Sequence, residues 1–137
     1  MAFLLDTNIL SELRKRRLAN ARVQAWYNTV RSAELFTSVL VIGEIRRGIE
    51  LKRATDPAFA AKLERWLRWI QQDFQDKILP VTQEIAEVWG TLSPMRPLAE
   101  PDGLIAATAM HHNLILVTRN VRDVRRSGVG VLNPWDA

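Results

Sequence analysis

The sequence predicts an α/β protein with a central, mostly parallel sheet of about five strands flanked by helices in three layers. Three observations predict it. Five short apolar runs, at 2–5, 35–37, 78–81, 114–117 and 129–132, read as strands. Segments of helical periodicity or turn separate them, and strands that alternate with helices pair in parallel through crossovers. The 137 residues, 47% apolar and 25% charged, suffice for one domain with a real core, spanning 1–137.

Each element has its own justification. Residues 2–5 are apolar without interruption, as a strand buried on both faces requires. Helical patterning covers 7–15 and then 20–31, where Val23, Trp26, Tyr27 and Val30 recur at helical spacing. After the strand 35–37, Ser38 is placed to cap a helix over 39–53 whose apolar stripe is Val39, Ile42, Ile45 and Ile49. Asp56-Pro57 introduces a helix over 54–73, with Pro57 suited to a first turn. Leu63, Trp66, Leu67 and Ile70 form its apolar face, and Trp66 and Trp69 read as core or interface packing. The strand ILPV precedes a helix over 82–93 started by Thr82, and SPMRPLAEP is a loop. Asp102 starts the helix DGLIAATAMHH, which Asn113 closes. LILV is the fourth strand, 121–126 a turn or short helix, and 129–132 the last strand before Asn133-Pro134-Trp135.

Composition excludes several classes. There is no cysteine, so disulfides and thiolate metal sites are ruled out, and a reducing compartment is suited. No signal peptide is visible and no apolar run approaches the roughly 18 residues of a membrane span. The expectation is a soluble cytoplasmic protein with no membrane partner. Nineteen Lys and Arg against fifteen Asp and Glu leave a net charge of +4, which permits polyanion binding. The cations cluster at Arg14–Arg17, Arg46-Arg47, Lys52-Arg53 and among Arg119, Arg122, Arg125 and Arg126, either as solvated helix faces or as contacts.

Four polar groups stand out against this frame. Asp6 follows the first strand, Asn120 follows the fourth with Asp123 three residues on, Asp102 opens an apolar helix, and Glu44 lies within the helix 39–53. Each carboxylate has a structural alternative. Asp6 and Asp102 are good helix caps, and Glu44 could be a solvated rim residue beside Arg46 and Arg47. Glu44 nevertheless shares a helical face with Leu40 and Val41, so it borders the buried stripe, where an unpaired carboxylate is costly. In an open parallel sheet, ligands bind at the carboxyl ends of the strands. Carboxylates gathered there repel unless a cation lies between them, and hard ions such as Mg²⁺ or Mn²⁺ prefer oxygen ligands. Zinc is disfavoured, because the only histidines, His111 and His112, are adjacent and do not share a helical face.

The segments LLDTNILSELRK, TSVLVIGEIRRGIEL and DGLIAATAMHHNLILVTRNVRDV, in that order and followed by the terminal LNPW, resemble the PIN-domain family. Within it they are most similar to the VapC-type toxins of bacterial type II toxin–antitoxin pairs. The resemblance implies a PIN-like fold and a metal-dependent endoribonuclease that uses Mg²⁺ or Mn²⁺, dimerises, and is neutralised by a cognate antitoxin. Carried over, Asp6, Glu44 and Asp102 match the acidic ligands and Asn120 the fourth position of the quartet, which many relatives fill with Asp. Asp123 is then the candidate to supply the charge that Asn120 lacks. Thr7 and Asn8 match the polar support beside the first acid, and Thr118 the hydroxyl after the fourth strand. Arg14, Arg46, Arg47, Arg119 and Arg122 lie near the acids in sequence and could hold RNA phosphates or an antitoxin. The helix 57–73 could serve the dimer or the antitoxin. Two other classes compete: a receiver domain, which needs an acidic pair where Thr7 and Asn8 follow Asp6, and a catalytically silent PIN-fold binding module, which the neutral Asn120 favours.

Overall fold

The structure is a computed structural model that describes residues 1–92, 94–95 and 97–136. Ser93 and Arg96 of the expected 93–101 loop lie outside the described residues.

Among the described residues, short segments, apolar except for Thr37 and Ser38, form five strands: β1 (Phe3–Leu5), β2 (Leu35–Ser38), β3 (Ile78–Leu79), β4 (Ile115–Val117) and β5 (Val131–Leu132). All four pairings are parallel, in the order β3-β2-β1-β4-β5. Phe3, Leu4 and Leu5 of the central strand are all buried, as a strand with neighbours on both edges and helices around it must be. The chain first builds outward from β1 to β2 and β3, then returns to add β4 on the other edge of β1 and β5 beyond it. Strand order reverses between β1 and β4, so the crevice beyond their carboxyl ends is the preferred ligand position of the fold. Asp6 follows one of these strands and Thr118 the other.

Among the described residues, seven helices flank the sheet: α1 (Thr7–Leu13), α2 (Ala21–Tyr27), α3 (Val39–Arg53), α4 (Pro57–Asp73), α5 (Gln83–Thr91), α6 (Asp102–His111) and α7 (Val121–Val124). Their starts follow capping chemistry. Asn20 accepts the amides of Arg22 and Val23, Ser38 that of Leu40, Asp56 that of Phe59 and Thr82 that of Ile85. The helices expected at 7–15, 20–31 and 54–73 are therefore shorter than their periodicity. The first stops at Leu13, ahead of Arg16 at φ +56°, and the third starts at Pro57 because Asp56 caps it. The strand expected over 78–81 ends at Leu79, since Pro80 has no amide to donate to a ladder. Strand β4 starts at Ile115, because the Leu114 amide is bound to Ala109 O at the end of α6, where Asn113 takes a left-handed conformation. Residues 129 and 130 likewise precede β5 without joining it.

The stripe expected on α3 is corrected. Val39 is 40% exposed and Ile42 half-buried, whereas Val41, Ile45 and Ile49 are buried. These three sit four residues apart and face the core one above the other, while Val39, two residues before Val41, lies on the opposite side of the helix and faces away from it. On α4, Ala60, Leu67 and Ile70 are buried and Trp66 packs partly against the core, but Trp69 is 55% exposed and is not a core residue. An ion-pair network ties α3 to α4: Arg46 reaches Glu64 at 2.5 Å and Glu50 at 3.0 Å, and Arg53 reaches the same two acids.

The sequence places a glycine, Gly103, in the first turn of α6, where it weakens the helix by roughly 1 kcal/mol relative to Ala. The fold supplies the reason. A Cβ at 103 would lie 3.0 Å from Trp89 Nε1, and that indole donates to Glu100 at 2.8 Å. Gly48, inside α3, has open space around its Cβ position. We therefore expect Gly48→Ala to raise the melting temperature by a few degrees, corresponding to about 0.5–1 kcal/mol. Gly103→Ala is expected to give no such gain and to lower it, and calorimetry of both variants checks the contrast.

Candidate active site

The site grows from the ends of β1 and β4. The Asp6 amide donates to Val117 O at 3.0 Å, which extends the parallel ladder one step and sets Asp6 beside Thr118. Asp6 occupies the cap position of α1. Its Oδ1 accepts the Thr7 amide at 2.8 Å and its Oδ2 accepts the Thr118 hydroxyl at 2.7 Å. Asp6 therefore caps a helix, as the structural alternative expects, and also lines a cleft at the carboxyl end of β1. Thr118 is fully buried, and its oxygen also accepts from Asn8 Nδ2 at 3.2 Å and the Asn120 amide at 3.1 Å. Asn8 Oδ1 in turn accepts the Arg119 amide, which pins the chain leaving β4 to α1.

Two more bonds bring in the other acids. The Thr7 hydroxyl donates to Glu44 Oε1 at 2.6 Å, joining α1 to α3. Asn120 Nδ2 donates to Asp102 Oδ2 at 3.2 Å, joining the corner after β4 to α6. Asp102 is the first residue of α6, Pro101 holds the cap position, and no side chain caps this helix. The alternative in which Asp102 serves only as a cap is therefore set aside. A continuous chain of contacts runs from Glu44 through Thr7, Asp6, Thr118 and Asn120 to Asp102.

The three carboxylates and Asn120 line one open cleft of about 510 Å³, together with Arg14, Arg119 and Trp135. Among the described residues none of the three carboxylates is in an ion pair. Their mutual repulsion has a measurable consequence. Burial first, then the charges of Asp6 and Glu44, pushes Asp102 from an ordinary 3.8 up to about 6. Burial also raises Glu44, opposed by the Thr7 hydroxyl and helped by Asp6. Among the described residues, no three acidic or histidine side chains are gathered tightly enough to hold a metal ion directly.

The remaining candidates divide. Asp123 is exposed on α7 and acts on Asp102 only through its charge. Arg14 reaches the cleft, and its guanidinium lies 5.5 Å from the Phe59 ring centre and 5.8 Å from that of Trp66. Arg119 stacks on Trp135 at 4.8 Å on the cleft's rim. Arg47 is exposed, and its charge opposes the rise at Glu44. Arg122 is exposed and does not line the cleft. Arg46 is engaged by Glu50 and Glu64 and points its charge to the α3–α4 network.

Sequence reasoning missed Ser11, Glu12, Lys15 and Trp135 as lining residues. The first three continue the face of α1 that carries Asn8, at spacings of three and four, so helical periodicity could have found them. Glu12 is already committed, because the Asn20 amide and Lys15 bind its carboxylate and hold it below the usual range. Trp135 is brought in from the end of the chain, its carbonyl held by Arg22, and no local pattern signals that.

Comparisons with known proteins bear on this site. The PIN domain family model matches residues 3–127. The chain is 31% identical over 137 residues to the toxin FitB of Neisseria gonorrhoeae, covering 96% of this chain and 97% of that protein. The crystal structure of FitAcB from the same organism superposes with a TM-score of 0.87 at 30% identity, covering 98% and 99% of the two chains. Ribonuclease VapC14 of Mycobacterium tuberculosis is 37% identical over 99 residues, which is 72% of this chain and 86% of that one. A toxin–antitoxin complex from Klebsiella pneumoniae superposes with a TM-score of 0.72 at 28% identity, with 98% of each chain covered.

Two measurements test the electrostatics of the cleft. Thr118→Val removes the hydroxyl shared by Asp6, Asn8 and Asn120, and it is expected to lower stability by about 1–3 kcal/mol in chemical denaturation. Asp102 binds its proton more tightly folded than unfolded, so the metal-free protein loses stability as pH rises from about 4 to about 6. Asp102→Asn is expected to raise the melting temperature at pH 7 by a few degrees, the effect being moderated by solvent screening. The gain should vanish below pH 4, which a pair of thermal melts across pH would show.

Proposed function

The chain belongs to the PIN-domain family, and we propose that within it the protein is a metal-dependent endoribonuclease, the toxin of a type II toxin–antitoxin pair. The observation that carries this reading is the convergence of Asp6, Glu44 and Asp102, from three separate elements, on one cleft whose rim is basic, with none of the three in an ion pair among the described residues. Proteins that raise the energy of their own carboxylates in this way do so where charge is needed for chemistry. The names of the relatives, a toxin and a ribonuclease, agree with it.

The residues present fit a hard divalent cation. Carboxylate and amide oxygens are the donors, and Mg²⁺ is commonly held by one or two carboxylates with the rest of its shell water. Asp6 and Asp102 would hold Mg²⁺ or Mn²⁺, with Glu44 acting directly or through water, which suits acids that are not gathered for direct threefold ligation. When bound, such a cation supplies Lewis acidity, making water a better nucleophile and offsetting charge on the phosphate.

The chain's own groups do the rest. Thr7 and Thr118 fix the rotamers of Glu44 and Asp6, so both acids meet substrate already oriented. Asn120 holds one oxygen of Asp102 and so orients the other toward the cleft, where it would meet the cation. Arg14 and Arg119 on the rim place positive charge where the phosphates flanking the scissile bond must lie. The partners in this reading are an RNA substrate, a cognate antitoxin and a second copy of the chain, in the cytoplasm. Asn120 at the fourth position is the feature that favours a silent binding module instead.

Purified protein incubated with total RNA in Mg²⁺, in Mn²⁺ and in EDTA tests the reading. Discrete cuts are expected with either metal and none in EDTA, and Asp6→Asn should slow cleavage by about 100-fold or more. Equal behaviour of wild type and variant under every condition would leave the silent module as the reading.

A further inference from the structure

A second concavity adjoins the acidic cleft. It is a groove of about 700 Å³ between α4 on one side and α1, α2 and the turn after α1 on the other. Its floor is aromatic and aliphatic, including Trp66 and Trp69, and Trp69 is 55% exposed. Its rim carries Arg14, Arg16, Arg17, Lys62 and Arg65, and among the described residues no acidic side chain lines it. Arg16, Arg17, Lys62 and Arg65 take part in no ion pair among the described residues, unlike Arg46, Arg53 and Arg68 on the neighbouring surfaces.

The two concavities share Arg14, which lines both. Its guanidinium is held against Phe59 and Trp66 of α4, within the range of a cation–π contact. The turn that presents the next cations is also fixed. Arg16 adopts φ +56°, a left-handed conformation that costs an arginine roughly 1 kcal/mol, and Gln24 donates to its carbonyl. A row of unpaired cations beside exposed indole, continuous with a cleft that opens on phosphate chemistry, is the arrangement that tracks a single strand: charge for the backbone, aromatic faces for the bases.

We propose that this groove holds the single-stranded RNA that flanks the scissile bond, with Arg14 as the positioning residue that hands the strand from groove to cleft. The inference rests on the nuclease reading above. Lys62 and Arg65 contact phosphates, and Trp69 stacks on a base.

Fluorescence anisotropy of the full chain tests it, using a labelled mixed-sequence RNA 12-mer in EDTA so that the probe stays intact, at salt from 50 to 300 mM. Lys62→Ala/Arg65→Ala should weaken binding by about 10-fold at the lowest salt and reduce the salt slope by about 1.4, about 0.7 for each phosphate no longer neutralised. Trp69→Ala should weaken it by 5-fold or more, and Trp69→Phe should restore part of that affinity. With metal present, total-RNA cleavage by the double variant should show a raised KM and an unchanged kcat, since neither residue lines the acidic cleft. Melting curves confirm that the variants remain folded. Wild-type affinity and slope in the double variant, with metal-dependent cleavage intact in both proteins, would overturn the groove assignment and leave the nuclease reading standing. Loss of a dimer in the double variant on size-exclusion chromatography, with RNA binding unchanged, would assign the groove to a second copy. A wild-type protein that neither binds nor cuts RNA would remove the nuclease reading and the groove with it.

Discussion

The parallel pairing of β1 with β4 is the constraint on which the rest of the site depends. It aligns Leu5 with Val117, extends one hydrogen bond further to Asp6, and so brings a carboxylate and a threonine hydroxyl into contact across 112 positions of sequence. Everything polar in the cleft is then referenced to that contact. Asn8 and Asn120 bind the same hydroxyl oxygen, Thr7 carries the register of α1 across to Glu44, and Asn120 carries it to Asp102. A buried hydroxyl with one donor and three partners has a single satisfying orientation, so the site is rigid at its centre and open at its rim.

The charges are organised by the same logic. Asp6, Glu44 and Asp102 are in no ion pair among the described residues, whereas Arg46, Arg53 and Glu64 are paired where two helices need a fixed relation. A long α3 and a long α4 locked together give Glu44 a stable base without any contact near its carboxylate. Among the described residues, Arg16, Arg17, Lys62 and Arg65, which line the groove, are in no ion pair, in contrast to Arg46 and Arg53.

Much of this was legible in the sequence. The period of the apolar runs gave all five strands their places and the parallel fold followed, because apolar runs between helices have few other solutions. Asp6, Glu44, Asp102, Asn120 and their supports were visible as polar residues at the edges of apolar segments. What was not legible depended on contacts between distant segments. Val39 reads as part of a stripe because 39, 42, 45 and 49 fit helical spacing as 41, 45 and 49 do, and only packing against the sheet decides which face is buried. Arg46 reads as a free cation because Glu64 is eighteen positions away. Gly103 reads as a defect until the Trp89 indole is seen against it, and Trp135 reads as a tail until Arg22 ties it to the cleft.

The long reach between β1 and β4 also bears on when the protein becomes active. The central strand, residues 3–5, is made long before residues 115–117, and one of its edges stays bare until they follow. Asn120 and the last strand come later still. A growing chain therefore carries Asp6 and Glu44 before Asp102, 58 positions beyond Glu44, is made, and folding must close a loop from β1 to β4 before the cleft exists. Non-local closure of this kind is slow relative to helix formation. A chain that stops before β4 therefore holds no assembled cleft, because the contact between Asp6 and Thr118 on which the cleft is built cannot form.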